Sequence, residues 1–279
     1  MNFQAALVQM RSGRDPARNI EDASVLIDEA AARGAEFVLT PEMTNIIETD
    51  RERLAAVVRE EKDDASIPIL AGRAQRHRIW VLAGSLALRG EAGKLVNRSL
   101  LFDPSGRIAA RYDKIHLFDV DLPGGAVIRE SATYTGGAAA PVTALPWGVL
   151  GLTICYDVRF PHLYKSLAQA GADFITAPSA FTKVTGEAHW HVLLRARAIE
   201  TGSFMLAPAQ GGLHECGRET YGASLAVSPW GEIIGEMGRD PGLVMVGIDR
   251  REVDRARRRI PVLQHGRCVA LQGCDKIAT

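Results

Sequence analysis

Cysteine is scarce in this chain and is not arranged for metal binding or redox exchange. The 279 residues include four cysteines and no C-x-x-C pair. The four are Cys155, Cys216, Cys268 and Cys274. Zinc ribbons and thioredoxin-like sites both need closely spaced cysteine pairs, so the sequence predicts neither kind of site.

An excess of charge of either sign is also absent, as are long apolar runs. Lys and Arg together number 33, and so do Asp and Glu, so the formal net charge is zero. A protein that holds nucleic acid through a net basic field is therefore not indicated. No apolar run approaches the length of a membrane span, and the first nine residues enter a strand-like segment without a signal-peptide pattern. These features predict a soluble cytoplasmic protein without a nucleic-acid or membrane partner.

What is present is enough apolar sequence for one sizeable core. Hydrophobic residues make up 47% of the chain, and no internal repeat or low-complexity linker divides it. The composition therefore favours a single domain. We place this domain at residues 1–267 and assign the irregular residues 268–279 to a C-terminal tail.

The most informative stretch joins two apolar runs through an amphipathic segment. Residues 149–154 and 174–177 are predicted buried strands. Between them, Pro161 opens a predicted helix that Gly171 can close. Cys155 lies at the carboxyl end of the first strand, and ligands of open α/β sheets bind at such strand ends.

Further segments of both kinds flank this unit. The other predicted strands cover residues 3–8, 37–39, 79–87, 97–102, 107–112, 204–209, 224–227, 232–236 and 243–248. Predicted helices begin at Pro16 with Asp15 as N-cap, cover 49–77 with a break near 66–68 and a capping box at Thr49, and cover 187–201 and 250–259. A long loop is expected over residues 118–146. The pattern predicts an α/β fold with two sheets face to face and helices outside.

The surroundings of Cys155 are compatible with a nucleophile. Asp157 and Arg159 follow it in a turn that cannot bury charges unpaired. A thiol near a cation in a polar turn can act as a nucleophile, although a lone cysteine can equally be a small buried side chain. A thiolate needs a base and a positive partner for the oxyanion that it creates. Glu42 and Lys114 each follow a predicted strand, but their spacing alone does not separate them from surface charges.

Three separated blocks resemble the nitrilase, or carbon–nitrogen hydrolase, superfamily in the order that this family has them. TPE at residues 40–42 resembles the glutamate block, YDKIHL at 112–117 the lysine block and GLTICYDVRFP at 151–161 the cysteine block. Each block lies at a predicted strand end. The likeness extends from the first strand to about Arg267.

This resemblance implies a fold, a set of catalytic residues and an assembly. The fold is a four-layer αββα sandwich of the α/β class. The catalytic residues are a triad of Glu42, Lys114 and Cys155 that works without metal or cofactor, with Glu130 as an assisting acid. Lys114 and the backbone N–H of Tyr156 are expected to hold the oxyanion. The implied assembly is a homodimer or a higher homo-oligomer.

Within the superfamily the chain resembles the Nit proteins, which are amidases that hydrolyse deaminated glutathione. The likeness rests on FDVDLPG at 118–124, AFT at 180–182, HW at 189–190, LLRARAIET at 193–201 and LQH at 263–265. It implies a cysteine-dependent amidase that hydrolyses a small carboxylate-bearing amide through a thioester, with release of ammonia. The alternatives are an ω-amidase that acts on α-ketoglutaramate and an N-carbamoyl amide hydrolase.

A carboxylate-bearing substrate needs a cation or hydrogen-bond donors in the site. Arg159 is the nearest cation to the nucleophile in sequence, and Thr182 and Thr185 carry hydroxyl donors, so we predict these three as substrate-binding residues. The alternative for Arg159 is an ion pair with Asp157 that only braces the turn. His162 departs from the family pattern, which has glutamate after Arg-Phe-Pro, and the local charge balance is expected to differ there.

Two other classes of function stay open. A papain-type hydrolase would use one of the seven histidines, although no papain signature is present. A binding scaffold would keep the fold without catalysis, and the presence of Glu42, Lys114 and Cys155 argues against it.

Overall fold

The computed structural model describes residues 2–267 with the exception of 124 and 126. The strands are β1 (Asn2–Gln9), β2 (Phe37–Leu39), β3 (Trp80–Arg89), β4 (Leu95–Phe102), β5 (Ile108–Asp113), β6 (Asp119–Asp121), β7 (Val127–Arg129), β8 (Val142–Leu145), β9 (Gly148–Leu152), β10 (Phe174–Thr176), β11 (Phe204–Ala207), β12 (Gly211–Leu213), β13 (Glu219–Tyr221), β14 (Leu225–Val227), β15 (Ile233–Glu236) and β16 (Gly242–Asp249). The helices are α1 (Pro16–Ala32), α2 (Arg51–Val57), α3 (Ser66–His77), α4 (Pro161–Gln169), α5 (Lys183–Thr201), α6 (Arg251–Arg259) and α7 (Val262–His265). The predicted tail, with Cys268 and Cys274, lies outside the described residues.

Most of the strands form two mixed sheets of six strands each. The first has the order β16-β1-β2-β3-β4-β5 and the second the order β15-β14-β11-β10-β9-β8. Each sheet has three parallel strands at its centre, β1-β2-β3 in the first and β9-β10-β11 in the second, and antiparallel strands at its edges. The carboxyl ends of the central strands therefore form one edge in each sheet.

The alternation along β1 shows how the layers are arranged. Phe3, Ala5 and Leu7 belong to the core that the two sheets share, whereas Ala6 and Val8 belong to a second core with α1 and α3. Successive strand residues point to opposite faces, so this sheet is buried on both sides. On the second sheet, α4 and α5 provide the covering side chains Leu163, Leu167, Trp190 and Leu194. The predicted four-layer αββα sandwich is confirmed.

The N-caps of the first two helices show which local sequence signals predicted a helix start correctly and which did not. Asp15 caps α1 as predicted, because its side chain accepts from the N–H of Ala17, and Pro16 is the first helical residue. The predicted capping box at Thr49 is wrong. Asp50 caps α2 instead, since its side chain accepts from the N–H groups of Glu52 and Arg53. The helical segment predicted over 49–77 is interrupted as expected, but the break covers residues 58–65, and α3 begins at Ser66, where the break was predicted.

Helix α5 begins four residues before the predicted start. Thr182 is its N-cap, and the side chain of Thr182 accepts from the N–H of Thr185. Gly186 weakens the helical pattern in the sequence because glycine has a low helix propensity. The structure explains this glycine, since a Cβ at Gly186 would lie 2.3 Å from the side chain of Tyr221 on β13.

The predicted loop over residues 118–146 contains regular structure, so its description as a loop is wrong. It includes the β6–β7 hairpin and the edge strand β8. Asp119 stabilises the hairpin, because its side chain accepts from both the N–H and the hydroxyl of Ser131. Strands of three or four residues are too short to produce a clear alternation in sequence. Within the described part of the chain, no helix is long and apolar enough to cross a membrane.

Candidate active site

A cavity of about 350 Å³ opens where four strands end. Glu42 follows β2, Lys114 follows β5, Cys155 follows β9 and Ala180 follows β10. These residues line the cavity together with Glu130, which follows β7. The structure therefore brings together all four predicted catalytic side chains, although they are far apart in the sequence.

The glutamate segment is held close to β3 by a glycine. The N–H of Gly84 donates to Thr40 Oγ1 at 3.1 Å. A Cβ at Gly84 would lie 1.9 Å from the carbonyl oxygen of Thr40. A larger residue would push the segment away, so Gly84 helps to set the position of Glu42.

Cys155 opens a short turn in a strained backbone conformation. Its φ is 50°, in the left-handed region that non-glycine residues occupy at a cost of about 1 kcal/mol or more. Its N–H donates to the carbonyl oxygen of Pro178 at 3.0 Å. The N–H of Tyr156 donates to no protein acceptor among the described residues, because the first hydrogen bond of the turn runs from Asp157 to Ile154. The predicted oxyanion donor is thus free and directly follows the nucleophile.

Asp157 connects the cysteine turn to the lysine segment. It is fully buried, and its Oδ2 accepts from the Tyr112 hydroxyl at 2.6 Å and from the N–H of Ile154 at 2.9 Å. Its Oδ1 lies 2.7 Å from His116 Nδ1 and accepts from the N–H of His116 at 3.0 Å. One carboxylate therefore fixes the position of Cys155 relative to Lys114, since it contacts residues on both sides of Lys114 and the residue that precedes Cys155.

Lys114 lies between the two acids of the site. Its Nζ is 2.9 Å from Glu42 Oε1 and 2.9 Å from Glu130 Oε2. Asn97 donates to Glu42 Oε1 at 2.9 Å, and the N–H of Ala180 donates to Glu42 Oε2 at 2.7 Å. Both Lys114 and Glu42 are buried. Both oxygens of Glu42 are therefore oriented by donors, and the ammonium is held at the base of the cavity.

Burial and charge together favour a neutral thiol next to an ionised carboxylate. Burial, followed by the charge of Glu42, raises the pKa of Cys155 well above its usual value. Burial also acts to raise the pKa of Glu42, but the cations Lys114 and Arg218 outweigh it, so that the pKa is lowered. For Lys114, burial acts to lower the pKa, yet Glu130 and Glu42 hold it well above its usual value. Cys155 and Glu42 line the same cavity and each shifts the pKa of the other, so the carboxylate is placed to take the thiol proton when the sulfur attacks.

Replacing Lys114 by methionine tests the predicted oxyanion partner. Methionine keeps most of the volume but removes the ammonium, and it leaves Glu42 and Glu130 without their shared cation. We expect kcat/KM to fall at least about a hundredfold, the scale of one oxyanion donor. Lys62→Met is the matched control, since Lys62 is exposed and pairs with Glu60. A loss below about tenfold in steady-state assays would show that Lys114 is not part of the site.

The two threonines of the α5 start also line the cavity. Thr182 Oγ1 and Thr185 Oγ1 lie 2.8 Å apart, and each side chain is largely buried. Their first role is the helix cap, but a hydroxyl at a cavity wall keeps hydrogen-bonding capacity for a ligand. Their location agrees with the prediction that they contact substrate, which stays a prediction.

Arg159 is placed differently from its prediction. It is not one of the residues that line the cavity. Its guanidinium lies 3.2 Å from His189 Nδ1 and packs 5.3 Å from the centre of the Phe181 ring. The expected ion pair with Asp157 is also wrong, because that carboxylate is occupied by the contacts described above. Arg159 therefore lies behind the cavity-lining ring of Phe181, and its role as a substrate-binding residue stays a prediction.

His162, at the position of the usual family glutamate, is exposed at the start of α4. Its ring packs edge-on against His116 at 5.7 Å between ring centres and against Phe160. The departure therefore places an aromatic ring on the lysine segment rather than a carboxylate.

Arg218 is a cavity residue that sequence reasoning missed. It lies in the turn between β12 and β13, and its Nη2 donates to the carbonyl oxygen of Ala180 at 2.5 Å. The sequence around Arg218 contains no motif or spacing that would have identified it. Its charge is one of the two that lower the pKa of Glu42.

The hairpin that carries Arg218 is anchored by a neutral histidine. His214 is buried, its Nδ1 lies 2.8 Å from the carbonyl oxygen of Ser12, and its Nε2 lies 2.7 Å from Thr220 Oγ1. Burial, together with the charges of Arg218 and Arg11, lowers the pKa of His214 from 6.5 to about 4. The folded state therefore binds this proton less readily than the unfolded state does.

This shift predicts a loss of stability in mild acid. Because the folded pKa is depressed, the contribution is complete above pH 6.5 and is lost as the pH falls to about 4. The free energy of unfolding should drop by at most about 3 kcal/mol across that window. Urea unfolding of the wild type at several pH values would measure it, with His214→Gln expected to flatten the slope and exposed His265→Gln to leave it unchanged. An unchanged slope in His214→Gln would contradict the assignment.

None of the seven histidines, all of which are described, lines the cavity. This arrangement does not fit a papain-type cysteine–histidine pair. Among residues 2–123, 125 and 127–267, no three His, Cys, Asp or Glu side chains are grouped as they would be in a metal site.

Comparison with known proteins places the chain in one family. The carbon–nitrogen hydrolase family profile matches residues 4–258. A deaminated glutathione amidase from Synechocystis sp. is 41% identical over 267 residues, which cover 94% of this chain and 97% of that protein. The deaminated glutathione amidase of Homo sapiens is 37% identical and covers 94% of this chain and 81% of its own.

Solved structures agree with this placement. The C. elegans NitFhit protein superposes with a TM-score of 0.89 at 35% identity, over 95% of this chain and 65% of the other, so the present chain spans about two thirds of it. A glutamate-to-glutamine mutant of an amidase from Nesterenkonia sp. AN1, with acrylamide added to its active-site cysteine, matches with a TM-score of 0.77 at 27% identity, over 93% of this chain and 98% of that one. The chain therefore belongs to the carbon–nitrogen hydrolase, or nitrilase, superfamily and is an amidase of its Nit branch.

Proposed function

We propose that this protein hydrolyses deaminated glutathione, with Cys155 as nucleophile and Glu42 as the proton carrier. One observation supports this proposal above the others. Lys114 Nζ bridges Glu42 and Glu130 at 2.9 Å in the cavity that also contains Cys155, in a chain 41% identical to an enzyme of that name.

Acylation begins with the neutral thiol. Glu42 takes the proton of Cys155 as the sulfur attacks the amide carbon, and the carbonyl oxygen becomes an oxyanion. Lys114 and the free N–H of Tyr156 stabilise that charge. When the tetrahedral species collapses, the C–N bond breaks and Glu42 gives the proton to the departing nitrogen.

Deacylation uses the same carboxylate. Glu42 takes a proton from water, the oxygen of which attacks the thioester carbon, and the same donors hold the second oxyanion. The C–S bond then breaks, and the proton returns to the sulfur of Cys155. Glu130 keeps Lys114 charged throughout, because it remains an anion on the far side of the ammonium.

The leaving group follows from the substrate. Glutathione joins its γ-glutamyl group to cysteine through a secondary amide, and removal of its amino group leaves a keto acid on the acyl half. Hydrolysis at that amide releases cysteinylglycine, so the release of ammonia expected from the sequence does not apply to this substrate. A primary amide such as α-ketoglutaramate would release ammonia instead, so the two substrates are distinguished by their products.

The test is a product assay on the wild-type enzyme. Deaminated glutathione, α-ketoglutaramate and an N-carbamoyl amino acid are incubated separately, with mass spectrometry for cysteinylglycine and a coupled assay for ammonia. We expect the highest kcat/KM for deaminated glutathione and a transient mass increase on the intact protein that matches the acyl group. Efficient release of ammonia from α-ketoglutaramate without cleavage of deaminated glutathione would refute the proposed substrate.

We also propose that the protein acts as a homo-oligomer. Val192 and Ile199 on α5 are 68% and 52% exposed, and Trp230 next to them is 48% exposed. Exposed apolar side chains that lie together favour an interface, here with a second copy of the chain. Light scattering during size exclusion should give at least twice the chain mass of 30.2 kDa. The cytoplasmic location stays a prediction.

A further inference from the structure

The cations that line the cavity differ in whether they form an ion pair with an acid. Lys114 is paired with Glu42 and Glu130. Arg129 pairs with Asp121 and also donates to two carbonyl oxygens. Arg51 and Arg218 form no ion pair with any acid in the described part of the chain. Arg51 is exposed at the start of α2, whereas Arg218 is only partly exposed and lies close enough to Glu42 to lower its pKa.

The guanidinium of Arg218 is held in place by a hydrogen bond, but only some of its N–H donors have partners. Its Nη2 donates to the carbonyl oxygen of Ala180, and the N–H of the same residue donates to Glu42. Arg218 is therefore connected to the predicted base through one peptide unit. Its Nε is buried and has no hydrogen-bond partner. Among the described residues, Nη1 has no hydrogen-bond partner either, and Nη2 is engaged only by Ala180, so the guanidinium keeps donors for a ligand acceptor in the cavity that it lines.

The hairpin around Arg218 provides the rigidity that a binding residue needs. His214, in the same turn, is anchored to Ser12 and Thr220. The Nε of Arg11 donates to Gly211 on β12 at 2.8 Å. The side chain of Arg218 is thus supported from two sides, and little conformational freedom remains to be lost on binding.

We propose that Arg218 determines specificity by binding a carboxylate of the substrate, in the role that sequence reasoning assigned to Arg159. The inference rests on the proposed function in one respect, namely that the substrate is a carboxylate-bearing amide. Guanidinium matches carboxylate geometry and remains charged at all physiological pH values. Deaminated glutathione offers one carboxylate on the acyl half and one on the leaving half, and both would present the same chemistry to Arg218.

Three matched amides separate these two carboxylates. α-Ketoglutaramate has a carboxylate on the acyl half only. Levulinoyl-cysteinylglycine has one on the leaving half only, because a methyl ketone replaces the keto acid. Levulinamide has neither. Wild type, Arg218→Gln, Arg218→Lys and the control Arg107→Gln are assayed on all three, with melting curves for each variant. Arg107→Gln removes the same charge from an exposed position outside the cavity.

We expect Arg218→Gln to raise KM by about tenfold to a hundredfold on the amides whose carboxylate Arg218 binds, and to leave levulinamide unchanged. Loss on α-ketoglutaramate alone assigns the acyl carboxylate, and loss on levulinoyl-cysteinylglycine alone assigns that of the leaving half. Arg218→Lys should recover part of the loss, because it keeps the charge without the planar fork.

Two results would overturn the inference. One is an equal loss on all three amides in both Arg218 variants, since this would make the residue structural. The other is a wild type without preference for the charged amides. A wrong assignment of the substrate would give a different result. Deaminated glutathione would not be cleaved, but the preference for charged amides would still depend on Arg218.

Discussion

Replacing Cys155 by alanine is expected to abolish turnover while the protein stays folded. The substitution removes the attacking sulfur and nothing larger, and alanine fits the buried site at a cost of about 1 kcal/mol. No other group that lines the cavity carries a thiol. Amide hydrolysis should fall to the background rate, and no acyl adduct should appear in the intact mass.

The chain contains its own matched control for this experiment. Cys216 is the other cysteine in the described part, and it packs against the apolar cluster that includes Met43 and Ile46. Cys216→Ala removes an identical sulfur from a position outside the proposed chemistry, so it should keep wild-type turnover. Near wild-type activity in Cys155→Ala, with an unchanged melting curve, would end the thioester mechanism.

Replacing Glu42 by glutamine is expected to have the next largest effect. Glutamine keeps the size and a carbonyl oxygen for the donors Asn97 and Ala180, but it cannot take the proton of Cys155. General acid–base catalysis contributes about a hundredfold to ten-thousandfold, so a loss of that size in kcat/KM is expected. Stopped-flow measurements should show that formation of the acyl-enzyme has become slow.

Glu130→Gln distinguishes the base from its neighbour. Both acids contact Lys114 at similar distances, but Glu42 is the acid whose charge raises the pKa of Cys155. The Glu130 variant should lose less rate than the Glu42 variant and should still acylate. The reverse order, with a mild Glu42→Gln and a severe Glu130→Gln, would mean that the base has been assigned to the wrong acid.

The elements that sequence reasoning found are those with strong local signals. The apolar alternation of β1 and the Asp15-Pro16 start of α1 belong to this group, because each is determined by residues that are neighbours in sequence. Thr49 and Asp50 illustrate the limit. Both are good N-cap residues, and only the position of the chain decides which side chain reaches the free N–H groups of α2.

The residues of the candidate site also divide into those that the sequence marks and those that only the tertiary structure reveals. Glu42, Lys114 and Cys155 were predicted because a family resemblance marked them, and the fold then brought them to one cavity. Arg159 was selected for its closeness to Cys155 in sequence, and it packs against rings that line the cavity without lining the cavity itself. Arg218 lies 63 positions beyond Cys155, since 218 − 155 = 63, and reaches the cavity only because β12 and β13 fold back over α5. Such a contact depends on the tertiary structure and leaves no pattern in the chain.

The raised pKa of Cys155 has a consequence for how the protein withstands oxidants and alkylating agents. Peroxides and haloacetamides react with thiolates, and cysteine enzymes that keep a resting thiolate are inactivated by them. Here burial and the charge of Glu42 raise the pKa of Cys155, so the free enzyme favours the protonated sulfur. The free enzyme therefore holds a thiol, and the nucleophilic thiolate forms only when the substrate is bound. Hydrogen peroxide that inactivates low-pKa thiol enzymes should leave this one active, and Cys155 should be oxidised no faster than an ordinary buried thiol.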